Sequence, residues 1–161
     1  MTRETRLLRA LLVMFLVGLV MASGLLYIIS LDLAAAYPEL AHLRLPIYVA
    51  VLVGLAPVIV AFKVVFDLLR VVDQGEAFSL QTVRLLQRLK VLFGITAAFE
   101  VLSLAGVLVA VEVAMGQTNA YMLLPWFAAE VVTLFLFTLV ALLERLFAAA
   151  LQLRQDNELT I

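Results

Sequence analysis

The chain has 161 residues, 66% of them hydrophobic and 14% charged, with a formal net charge of -1 and a mean hydropathy of +1.17. A soluble domain is nearer half apolar and a quarter charged, so composition points to a membrane protein, and the near-zero charge offers no global field to gather nucleic acid. The absence of cysteine excludes disulfides, thiolate catalysis and cysteine-based metal sites.

Four apolar runs follow in chain order, at about 10–31, 45–66, 91–111 and 122–143. Each is close to the roughly 20 residues that a helix needs to cross a bilayer. None alternates in polarity as a β-barrel strand would. The predicted fold class is therefore all-α: a polytopic membrane protein built as a four-transmembrane-helix bundle, one integral membrane domain over 1–161. The first run follows Arg3, Arg6 and Arg9. It is longer than the 7–15 residues usual in a secretion signal, so it reads as an uncleaved signal-anchor. The second run contains Pro57, which in lipid can kink a spanning helix without ending it.

Orientation follows from Lys and Arg. Arg3, Arg6 and Arg9, then Arg70, Arg84, Arg88 and Lys90, then Arg145 and Arg154 fall on one side, Arg44 stands alone on the other, and Lys63 lies inside the second span. The positive-inside rule places both termini, the loop at about 67–90 and the tail at about 144–161 in the cytoplasm. Tyr27, Tyr37, Tyr48, Tyr121 and Trp126 then mark the outer interface, where amphipathic rings settle.

Small residues let membrane helices approach closely. Gly18 and Ala22 offer such a face on the first span, and Ala50, Gly54, Pro57 and Ala61 on the second. On the third span the helical period aligns Thr96, Glu100, Ser103, Val107, Ala110 and Ala114, with Gly106 at the edge. Glu100 and Glu130 each fall near the middle of an antiparallel span, so their depths differ by only about 5 Å. No basic residue shares that depth. Lys63 can snorkel to the headgroups, with Asp67 one turn on as its expected partner, while Glu112 and Glu144 near the span ends call for no special role. Two carboxyls without a cation should not both be ionised in a low-dielectric bundle. They read either as structural groups hydrogen-bonded to Thr96, Ser103 or Thr133, or as a proton relay or cation site.

No catalytic or phosphate-binding motif is present, and the one histidine, His42, reads as a solvated loop residue; the expectation is a non-enzymatic protein without cofactor or metal. In the cytoplasmic loop, Gly75 is expected in a turn and Ser79 as an N-cap for a helix running straight into the third span, about 50 Å from residue 80 to 114. Arg84, Arg88 and Lys90 on that helix either pair with anionic lipid or belong to a partner-docking surface that includes Gly75, Phe78, Ser79, Arg84 and Arg88. The tail continues the fourth helix and ends in Asn157, Leu159, Thr160 and Ile161, which belong to the same expected surface.

"DQGEAFSLQTVRLLQRLK" and the terminal "LQLRQDNELTI" resemble the bacterial membrane family known as domain of unknown function 2975. Its words "G-x-x-F-S-x-x-x-V-x-x-L" and "E/D-N-x-L-T-I" match Gly75, Phe78, Ser79, Val83 and Leu86, and Asp156, Asn157, Leu159, Thr160 and Ile161. The resemblance implies four helices in the bacterial cytoplasmic (inner) membrane and a membrane-held regulatory or scaffolding partner for a small cytoplasmic helix-turn-helix regulator. The partners expected are thus the lipid bilayer, that regulator and further copies of the chain, with no direct nucleic-acid binding. The alternative function is a small proton- or cation-coupled transporter or channel component that uses Glu100 and Glu130.

Overall fold

A computed structural model describes residues 3–115 and 120–158, and every element in it is helical. Helix α1 spans Arg3–Ala36, α2 Arg44–Asp73, α3 Leu80–Met115 and α4 Ala120–Glu158, with a short 3-10 helix at Pro38–Leu43 between α1 and α2. All four long helices are long and apolar enough to cross a membrane, and each contains one of the four runs expected from the sequence. Their 30 to 39 residues correspond to about 45–58 Å, well beyond the roughly 30 Å hydrocarbon core. The helix ends therefore stand out of the bilayer. Helix α2 continues through Pro57.

The connection between α2 and α3 shows why chain direction reverses there. Gly75 has φ +83°, a left-handed conformation that costs glycine little because it lacks a Cβ. Its N–H donates to Val72 O at 3.0 Å, and the next N–H, of Glu76, donates to Val71 O at 3.2 Å. This pair of bonds is a Schellman closure that satisfies the last carbonyls of α2. Three residues later Ser79 caps α3: the Thr82 N–H donates to Ser79 Oγ at 3.3 Å. The Thr82 hydroxyl in turn donates to Glu76 O at 3.2 Å, and Thr82 is only 1% exposed.

Helix α3 packs against both α2 and α4, and α1 lies against α2. The core gathers at the end carrying the turn, from Ala61, Val64 and Val71 of α2, Leu85, Leu86 and Leu89 of α3 and Val140 of α4. The residues from α2 and α3 recur at three-, four- and seven-residue spacings, the period of a helix face. Further along, a Cβ on Gly54 would stand 2.6 Å from Phe99 Cε1, so α2 and α3 are close enough there to need a glycine. The small face expected on α2 is a packing face. That expected on α1 is not: Gly18 and Ala22 are exposed, and nothing lies within 4 Å of a Cβ on Gly18. Gly106 likewise faces open space.

Contacts between α1 and α2 sit at three levels. Arg9 pairs with Asp73 at 2.9 Å, Phe15 stacks on Phe62 at 5.6 Å, and Tyr27 meets Tyr48 at 5.2 Å. Arg44 lies over the Tyr27 ring and donates from Nε to Ser30 Oγ at 3.1 Å. The Arg9–Asp73 pair puts the start of α1 beside the α2–α3 turn.

Candidate functional site

Glu100 of α3 faces α4. Thr133, 8% exposed, donates its hydroxyl to Glu100 Oε1 at 3.1 Å. Glu130, one turn before Thr133 on α4, lies beside the same carboxyl. Oε2 of Glu100 and Oε2 of Glu130 are both buried and without a hydrogen-bond partner. Two carboxyls thus lie side by side, and the Thr133 hydroxyl donates to Glu100. Each ionised carboxylate only accepts, so a proton on either would create the donor that the site lacks.

The other expected supporting residues, Thr96 and Ser103, lie on α3 with Glu100. Thr96 is buried, but its hydroxyl donates to Leu92 O at 3.0 Å within its own helix. A threonine that bonds back one turn has no donor left for a neighbour. Ser103 is half-buried one turn beyond Glu100.

Sequence reasoning missed the ion pair of Lys90 and Glu144, which joins α3 to α4 near the turn. The depth argument that matched Glu100 with Glu130 matches these two as well, since Lys90 precedes the third span and Glu144 follows the fourth. Asp67 was expected beside Lys63. It lies instead 3.8 Å from Arg70, which is also one turn away on α2, and Lys63 is exposed.

At the α2–α3 turn, the expected docking residues divide. Gly75 and Ser79 build the turn itself. Phe78 stacks on Phe147 of α4 at 5.1 Å, while about half of it, 53%, remains exposed. Arg84 and Arg88 are exposed one turn apart. Asn157 belongs to the last turn of α4, and Leu159, Thr160 and Ile161 lie outside the described residues. His42 is exposed within the 3-10 helix. Among the described residues no group of three or more His, Cys, Asp or Glu could hold a metal ion.

A family model described as a protein of unknown function, DUF2975, matches residues 28–161. The chain belongs to the DUF2975 family. No curated protein and no solved structure matches it. The match takes in the end of α1 and all of α2, α3 and α4. The residues at the turn have structural work in this fold: Gly75 for the left-handed backbone, Ser79 for the cap, Phe78 for the stack and Leu86, 2% exposed, for the core.

Proposed function

We propose that this DUF2975 protein is a non-enzymatic, membrane-held docking protein of the bacterial inner membrane. In this reading it regulates or scaffolds a small cytoplasmic helix-turn-helix protein, with both termini and the α2–α3 turn in the cytoplasm. The observation that carries the reading is where the packing lies. Among the described residues the core cluster lies at the end that carries the capped turn, the start of α3 and the extension of α4. A firm platform there suits recognition from the water phase. It also leaves Phe78, Leu80 and Leu153 exposed, the last at 66%.

The test has two arms. The chain has no native cysteine, so single cysteines at Ala41 and Gln74, both exposed, should label from opposite sides of intact membranes, with Gln74 inside. A photoreactive residue replacing Leu153 should capture a small DNA-binding protein identified by mass spectrometry, while the same residue replacing Ala98 captures lipid. Lipid alone at both positions overturns the docking reading.

A second reading rests on the orphaned oxygens of Glu100 and Glu130. Ionisable groups inside a bundle are often functional, so a proton- or cation-coupled transport component is the alternative. Loss of a proton flux in Glu100→Gln proteoliposomes, with the fold intact, would favour it.

A further inference from the structure

Five basic residues near the turn, Arg9, Arg70, Arg84, Arg88 and Lys90, fall into two sets that the sequence does not separate. Arg9 is committed to Asp73 and Lys90 to Glu144. Arg70 has Asp67 nearby. Arg84 and Arg88 have no such carboxylate among the described residues, and both point outward from α3. Along the helical period their stripe continues through Val91, Ile95, Ala98 and Leu102, all exposed, with Leu102 at 71%. One face of α3 therefore changes from two guanidinium groups to unbroken hydrocarbon within a single turn.

We infer that Arg84 and Arg88 form a phosphate-binding site for anionic membrane lipid, with the acyl chain lying along Val91, Ile95 and Leu102. Spacing selects a lipid over a soluble anion or a protein. Arg88 stands about 5 Å and Arg84 about 10 Å outside Val91 along the helix axis, and the headgroup zone of each leaflet is about 5–8 Å deep. Both flexible side chains can reach that zone, because long basic side chains extend to the polar layer. Guanidinium grips phosphate bidentately, which a point charge does not. An apolar stripe immediately beyond the cations gives the tails of the same molecule their place. This assignment takes Arg84 and Arg88 out of the protein-docking surface, which then comprises the turn and the end of α4.

Native mass spectrometry of the full chain, titrated with phosphatidylglycerol or phosphatidylcholine of identical acyl chains, reads the site directly. The native chain should retain phosphatidylglycerol in preference. The double variant Arg84→Gln/Arg88→Gln should bind it about 30-fold more weakly, the effect of removing two basic groups at about 1 kcal/mol each, with phosphatidylcholine binding unchanged. Arg84→Lys/Arg88→Lys keeps the charge and loses the planar fork, so it should retain part of the preference, which also shows that the surface tolerates substitution. Arg154→Gln, on the C-terminal extension of α4, should leave the preference intact. Equal retention of the two lipids by the native chain, an unchanged phosphatidylglycerol affinity in the Gln variant, or displacement of the lipid by inorganic phosphate would each overturn the assignment.

Discussion

Helices α1 and α3 have nearly the same length, 34 and 36 residues, and the same mean hydrophobic character, yet they are held in different ways. Helix α3 lies between α2 and α4 and buries Thr82, Leu85, Leu86, Leu89, Thr96 and Ala97. Helix α1 leans on α2, and among its described residues only Thr5 is buried. Lipid supplies no hydrophobic force between helices, so association depends on close fit and polar contact. Helix α3 has both from Thr82 to Glu100. Helix α1 has an ion pair near its start, a ring stack and an aromatic cluster towards its end. The DUF2975 match begins at residue 28 and so covers the tightly packed helices while omitting most of α1.

The sharpest way to break this comparison is to remove the same side chain from each helix. Leu86→Ala should destabilise the protein by about 3 kcal/mol, because the site is closed on both sides and cannot collapse fully. Leu11→Ala, at a position 55% exposed, should stay within about 0.5 kcal/mol. Denaturant unfolding in one detergent compares them, and equal losses would show that α1 is packed as firmly as α3.

Glycines sharpen the same contrast with a smaller effect of opposite sign. Gly54→Ala drives a methyl into the Phe99 ring and should cost about 1–2 kcal/mol through the forced ring shift. Gly18→Ala meets nothing within 4 Å and should gain about 0.5–1 kcal/mol from reduced backbone entropy in the unfolded chain. Melting temperatures of the two variants should move in opposite directions. A fall in both would place an unseen neighbour against α1.

The smallest effect belongs to the carboxyl pair. Thr133→Val removes the hydroxyl that donates to Glu100 and should cost about 0.6 kcal/mol, the usual size of such bonds between membrane helices. Glu100→Gln keeps an acceptor for Thr133 and adds a donor, so it should leave stability nearly unchanged. A double-mutant cycle on the two positions measures their coupling, and a coupling near zero would separate the groups that the geometry places together.

The chemistry of single residues made much of this fold legible. Run length located all four helices, left-handed backbone demanded glycine at 75, and a hydroxyl before an apolar period marked the cap at 79. Depth matching brought Glu130 to Glu100 because a short connection forces antiparallel neighbours into register. The same logic applies to Lys90 and Glu144, and their pairing was missed because Glu144 was given no role and Lys90 was set against lipid or a partner. Gly18 faces open space and Thr96 bonds within its own helix. A small residue permits close approach without naming a partner, and a hydroxyl can satisfy itself on its own helix. The division of Arg9 and Lys90 from Arg84 and Arg88 depends on which face of a helix meets a carboxylate, and composition carries no trace of that.

Among the described residues, Lys90 with Glu144 and Glu100 with Thr133 cross the seam between α3 and α4, about 15 Å apart along the axis. The rest of that seam is largely hydrocarbon, on which one helix could slide past the other with little resistance. A slip of one turn, about 5.4 Å, would unmake both contacts together. The two contacts therefore work as the teeth of a key. Either alone could be re-formed by rotation or a local bend, but their fixed separation fits one longitudinal alignment, so the height at which α4 emerges from the membrane is set from within the bundle.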